Sequence, residues 1–256
     1  MTVTQALLSG IIQGLTEFFP VSSSGHLALF QAMLGMKEVM AFDIFLHFGT
    51  LISVVIFFRK DIIKLFTGDI KTLKFIIIAS VPTFIIGILF KDVVESIFSS
   101  VRLVGAALIV TGLFLLVASF AAFRKRHAGG SKQLGALNSA MIGIAQGIAV
   151  IPGISRSGST IGTALIAGLD DKTAIKFSFL LALPAILGAN LLKVRHIYGN
   201  LVSVEAVPYI AGFIAAVLSG LAAIKLLYGI LKNNLLYLFG IYCLLAGAAV
   251  IILVRV

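Results

Sequence analysis

With 256 residues, 60% hydrophobic and only 12% charged, the chain carries about half the charge of a soluble domain, in which roughly a quarter of residues are charged. A mean hydropathy of +1.14, with apolar runs long enough to cross about 30 Å of hydrocarbon at about 1.5 Å per residue, makes it an all-α polytopic membrane protein. A β-barrel is excluded, because it needs alternating segments of roughly ten residues and these runs are continuous; the net charge of +10 reads as loop charge that orients the chain, and no nucleic-acid partner is expected.

Residues 2–35 form two apolar arms around a break at Pro20–Gly25. A span is predicted over about 39–58, then a basic loop holding Arg59, Lys60, Lys64, Lys71 and Lys74. Spans at about 72–90 and 101–123 flank a short loop with Lys91, Asp92 and Glu95. Arg124-Lys-Arg-His127 and Gly129-Gly-Ser131 make the one obvious linker. Residues 135–168 repeat the two-armed pattern around Pro152–Gly158, and spans at about 174–192, 207–227 and 234–254 follow. The N-terminus shows no basic region and no small-residue cleavage site, so no cleavable signal peptide is expected. The single cysteine, Cys243, excludes an intrachain disulfide and reads as a packing residue.

Moving 133 positions along the chain superimposes the two breaks: Gln13 falls on Gln146, Gly14 on Gly147, Ser22 on Ser155, Ser24 on Ser157 and Gly25 on Gly158. The single membrane domain, 1–256, therefore reads as internal repeats 1–125 and 133–256, each a broken hairpin plus three spans. An odd number of spans sends the second repeat into the membrane from the opposite side, giving inverted-topology repeats. Setting Arg156 aside, loops on one side hold 13 Lys/Arg and those on the other hold six, which makes the first side cytoplasmic. The arms of the first hairpin, 2–19 and 21–35, would reach only about 27 and 22 Å, and crossing arms would put the two polar turns on opposite faces. The expectation is six transmembrane helices plus two re-entrant helical hairpins whose turns meet near the midplane, where a shared polar cavity makes irregular backbone tolerable.

The chemistry sits in those turns. Glu17 and Asp43 are the acids inside apolar segments and Arg156 is the one basic residue so placed; an ionisable group at that depth costs about 2.5–3.5 kcal/mol and points to function. The competing role is a buried Glu17–Arg156 pair that only locks the repeats together. Arg156, bracketed by Ser155, Ser157 and Ser159, offers a guanidinium fork and hydroxyls suited to phosphate oxygens. Ser22 and Ser24 are candidates for the same task, with helix N-capping as the alternative for any one serine. Gln13 and Glu17 lie i,i+4 on one helical face and could hold a hard divalent cation. A serine hydroxyl needs a neighbouring base, for which Glu17 and His26 are both candidates. Asp43 and His47, also i,i+4, read as a buried hydrogen-bonded pair, with a proton relay as the alternative.

The run Gln13-Gly-Leu-Thr-Glu17-Phe-Phe-Pro20-Val-Ser22-Ser23-Ser24-Gly25-His26-Leu27, together with Pro152-Gly-Ile-Ser155-Arg156-Ser157-Gly158, resembles the undecaprenyl-diphosphatase family, the bacitracin-resistance membrane phosphatases. Leu46-His47-Phe-Gly49-Thr50 and Phe177-Ser-Phe-Leu-Leu-Ala-Leu-Pro184 are similar to the same family, so the resemblance covers essentially the whole chain. It implies hydrolysis of a C55 polyprenyl diphosphate to the monophosphate carrier for cell-wall synthesis, assisted by Mg²⁺ or Ca²⁺, in the bacterial inner membrane with the site open to the outer face. By position it implies Gln13 and Glu17 as the metal pair, Ser23 as nucleophilic hydroxyl, and His26 and Arg156 as the other essential groups. Gln13 stands where many members have Glu, leaving one carboxylate fewer. A transporter or flippase of a lipid phosphate would use the same inverted repeats and midplane anion site, and a homodimer is left open by the sequence.

Overall fold

The computed structural model describes residues 1–36, 39–90, 100–128, 132–197 and 206–253, and all regular structure among them is helical. The order is α1 (Val3–Phe18), α2 (Ser23–Met33), α3 (Met40–Phe57), α4 (Arg59–Thr67), α5 (Ile70–Leu89), α6 (Val101–Ala128), α7 (Ala136–Ile148), α8 (Arg156–Ala167), α9 (Asp171–Ile197), α10 (Ala206–Lys232) and α11 (Leu236–Leu253). Six of these, α3, α5, α6, α9, α10 and α11, are long and apolar enough to cross a membrane, and they match the six predicted spans. Large apolar side chains such as Ile77, Ile88, Phe120, Leu218 and Leu245 lie exposed on the outside, while Gln13, Glu17, Thr50, Ser53, Ser155 and Ser157 are buried inside. That inversion of the water-soluble pattern is the signature of a protein whose solvent is lipid.

Lys37, Arg255, the loop with Lys91, Asp92 and Glu95, and the linker residues Gly129, Gly130 and Ser131 lie outside the described residues. So do the side chains of Arg126, His127, Lys193, Arg195 and His196.

The basic stretch after the first span is not a loop, as the sequence suggested, but the nine-residue helix α4 followed directly by α5. Leu65 and Ile62 turn into the core, whereas Arg59, Lys60 and Lys64 stay exposed, an amphipathic division that the run of cations hides. Asp69 then starts α5, its carboxylate accepting from the Thr72 hydroxyl at 2.7 Å and the Thr72 amide at 3.1 Å. Those bonds, the hydroxyl's above all, hold the Asp69 carboxyl below its ordinary range. Lys176 pairs with Asp61 at 2.5 Å, tying α9 to α4.

The two short hairpins are clamped by partners from the other half of the chain. Helix α1 packs along α10, α7 packs along α5, and α6 packs along α11. The α1–α10 approach depends on a missing side chain: a Cβ on Gly14 would lie 2.0 Å from Ser219 Oγ and 2.6 Å from the Ala216 carbonyl. At its far end Phe18 meets Gly220, near the middle of α10, so the first turn lies alongside the interior of that span and not its tip. The second turn is held beside Thr111, well inside α6, whose hydroxyl donates to the Gly153 carbonyl at 2.9 Å and accepts from the Ser155 amide at 3.1 Å.

Candidate active site

Backbone rules explain how the first turn presents its side chains. Phe19 precedes Pro20, which disfavours helical backbone at that residue, and α1 ends with Phe19 extended at φ −67°, ψ 143°. Ser22 then takes φ 69°, ψ 94°, a conformation that costs a non-glycine residue on the order of 1–3 kcal/mol and persists only where the surrounding structure over-determines it. Helix α2 begins immediately after, at Ser23, and the Ser22 hydroxyl makes no capping bond. It contacts Ser24 Oγ at 3.3 Å instead. In the second turn Gly153 sits at φ 93°, and a Cβ there would be 2.5 Å from the Val104 carbonyl, so only glycine fits.

The turns touch. Ser157 Oγ donates to the Phe19 carbonyl at 3.0 Å, and a Cβ on Gly158 would come 3.2 Å from that of Pro20. Across this junction Arg156, the first residue of α8, donates from Nη2 to Glu17 Oε1 at 3.0 Å and to the Glu17 carbonyl at 3.4 Å. Glu17 Oε2 accepts from Ser23 Oγ at 2.6 Å and from Gln13 Nε2 at 3.0 Å. One 7%-exposed carboxylate is thus held by its own helix, its own turn and the opposite turn. This pair ties the two turns together, yet it leaves Arg156 Nη1 buried without a partner. Leaving a buried donor unpaired costs about 1–3 kcal/mol, which an incoming acceptor would recover.

The remaining sequence-selected residues divide. Ser155 caps α8, accepting from the Gly158 amide at 3.1 Å, which is the N-capping role weighed above, and it contacts Ser157 Oγ at 3.2 Å. Asp43 and His47 are close but bonded otherwise than the spacing suggested. His47 Nδ1 meets the Asp43 backbone carbonyl at 2.8 Å, and the Asp43 carboxylate accepts from Gln31 at 2.6 Å. His47 Nε2 faces Glu17 Oε2 at 4.0 Å, which brings this imidazole to the rim of the site. His26 Nδ1 meets the Ser22 carbonyl at 2.8 Å and its Nε2 meets the Tyr242 hydroxyl at 2.7 Å. Neither bond goes to Ser23. Of the two candidate bases, the one hydrogen-bonded to the Ser23 hydroxyl is Glu17. Sequence reasoning missed Thr111 and Tyr242, each a lone polar group in an apolar run with nothing nearby to mark it.

For a divalent cation the donor set is lean. Among the described residues no three His, Cys, Asp or Glu side chains cluster as metal ligands. Gln13 Oε1 is buried and unpartnered, however, and a carboxylate has about four lone-pair sites, of which three side-chain bonds use only part. One carboxylate and one amide oxygen fit a hard cation that draws its other ligands from substrate and water.

Residues 6–249 match the model described as "Bacitracin resistance protein BacA". The chain belongs to the BacA family. Among curated relatives it is 44% identical to an undecaprenyl-diphosphatase of Carboxydothermus hydrogenoformans, over 99% of this chain and 98% of the relative. It is 43% identical to that of Halothermothrix orenii over the same shares, and 39% identical to that of Methanosphaera stadtmanae, again over 99% and 98%. The alignments take in both turns and every span, so they bear on the whole fold.

Proposed function

We propose that this multi-pass membrane protein hydrolyses undecaprenyl diphosphate to undecaprenyl phosphate and inorganic phosphate, the reaction for which its relatives are named. The observation that carries the reading is the Glu17 carboxylate bonded at once to Ser23 Oγ and to Arg156, with a guanidinium nitrogen left over. In this reading Glu17 takes the proton from Ser23, or from water standing in its place, and so raises the nucleophilicity of the attacking oxygen. Arg156 Nη1 turns to a phosphate oxygen and offsets the charge that builds on transfer. Ser22 and Ser24 would contact the phosphate from one turn, while Ser155 and Ser157 shape the other. Gln13 and Glu17 would hold Mg²⁺ or Ca²⁺, which when bound neutralises diphosphate charge.

Both hairpins re-enter the membrane from opposite sides, as inverted repeats 1–125 and 133–256. Supporting this are the turns that touch beside the interiors of α6 and α10, and the cross-packing of α1 on α10 and α7 on α5. A lipid diphosphate needs such a site, because its reacting group is tethered to a chain that stays in the bilayer. The cation-rich side is cytoplasmic, and a site open to the outer face of the bacterial inner membrane is what the family resemblance implies.

The competing reading is a lipid-phosphate flippase. Protein purified in detergent, where no gradient exists, is expected to release inorganic phosphate from a polyprenyl diphosphate, and Ser23→Ala is expected to lose most of that release. A folded protein that moves the lipid between leaflets of vesicles yet frees no phosphate would favour the flippase.

A further inference from the structure

We propose that Tyr242 is a positioning residue of this site: it fixes His26 as a strut between the strained first turn and the last helix, so that His26 does not serve as the proton acceptor for Ser23. The inference rests on the reading of Glu17, Ser23 and Arg156 as the reacting site.

The tautomer follows from the partners. The Ser22 carbonyl can only accept, so His26 Nδ1, 2.8 Å away, carries the proton. In the neutral ring Nε2 is then a bare acceptor, and the Tyr242 hydroxyl at 2.7 Å donates to it. The two rings also stack, with centroids 5.6 Å apart and planes 19° from parallel. Both ring nitrogens are therefore engaged. The carbonyl that His26 holds belongs to Ser22, the residue at φ 69°, and Ser23 follows it directly. Pinning that carbonyl fixes the direction in which the Ser23 hydroxyl leaves the turn toward Glu17, at 2.6 Å.

Tyr242 does not act alone. Phe239, Tyr242 and Cys243 lie at i, i+3 and i+4, hence on one face of α11. Phe239 packs on Phe19 with ring centroids 5.2 Å apart, and Cys243 Sγ donates to the Pro20 carbonyl at 3.6 Å. One face of the last helix thus braces Phe19, Pro20 and, through His26, Ser22. The position 216 residues from His26 explains why no local pattern in the sequence marks this contact.

The test uses the full chain in detergent, labelled with 15N-histidine. Its four histidines are resolved by assigning His26 through His26→Gln. The wild type is expected to show His26 in the Nδ1–H tautomer with a hydrogen-bonded Nε2. Tyr242→Phe keeps the ring but removes the donor. Its Nε2 resonance is expected to move downfield to the position of an unbonded imine nitrogen, with kcat lowered roughly two- to tenfold, as for one neutral hydrogen bond, and KM unchanged. Tyr242→Leu, which also removes the stacking ring, is expected to lower kcat further. An unmoved Nε2 resonance in Tyr242→Phe, or a moved resonance with wild-type kcat, would overturn the proposal. Full turnover by Glu17→Gln would instead overturn the site reading, while the resonance still reports the strut.

Discussion

Arg156→Lys is expected to cut turnover by roughly 100-fold or more, about 2.7 kcal/mol of transition-state stabilisation, while the protein stays folded. Lysine keeps the charge and can still pair with Glu17, so the lock between the turns survives. It cannot do two things at once. The guanidinium donates from Nη2 to Glu17 and keeps Nη1, buried and unpartnered, for a second acceptor. An ammonium is a point charge on a flexible stem without that fixed fork. The check is kcat with melting temperature in detergent: low kcat with unchanged melting assigns Arg156 to chemistry, and near-normal kcat would make it structural glue.

Glu17→Gln is expected to remove hydrolysis, with loss of roughly 1000-fold or more, beyond the 100- to 10,000-fold range's lower bound for general base catalysis. Glutamine has a single acceptor oxygen, so it can accept from Arg156 or from Ser23, which bond different oxygens of Glu17, and it cannot take a proton. It also leaves the part-buried Arg156 without a counter-charge, for which the about 3–5 kcal/mol of breaking a fully buried pair is an upper bound. Melting must therefore be measured beside activity. Gln13→Glu acts in the opposite direction. Gln13 Nε2 now donates to Glu17 Oε2 at 3.0 Å, so the new carboxylate would face an existing one and favour a cation between them. Turnover is expected to be tolerated at saturating Mg²⁺ and half-saturated at a lower concentration than in the parent. Titration of metal against turnover for the three proteins, starting from chelated enzyme, reads both effects. A Glu17→Gln variant that keeps its rate and its metal requirement would remove Glu17 from both roles.

The membrane-spanning part of this fold was legible because hydropathy over about 20 residues is decided by solvent and not by neighbours. Helix α4 was not, because Arg59, Lys60 and Lys64 dominate a nine-residue segment in which Ile62 and Leu65 alone mark the inner face. Of the candidate site, the Glu17–Arg156 contact was legible because both groups are costly in lipid and had to find each other. The i,i+4 spacing of Gln13 and Glu17 also translated directly into a bond. The spacing of Asp43 and His47 did bring them together, but through the backbone carbonyl, which spacing does not reveal. Thr111 and Tyr242 meet the turns only in tertiary structure, and single hydroxyls in apolar helices are ordinarily satisfied within their own helix.

The central claim is that one site is assembled from two turns far apart in sequence, and a disulfide tests it most directly. Pro20 Cβ lies 3.2 Å from where a Gly158 Cβ would stand, close to the roughly 3.5–4.5 Å spanned by a disulfide. The protein carries Pro20→Cys and Gly158→Cys, with the native Cys243 replaced by serine and a protease site inserted within Gly129–Ser131. After mild oxidation and cleavage, the two fragments are expected to run as one species on a denaturing gel without reductant and to separate when it is added. Fragments that separate without reductant, from a protein that is folded and oxidised, would contradict the account.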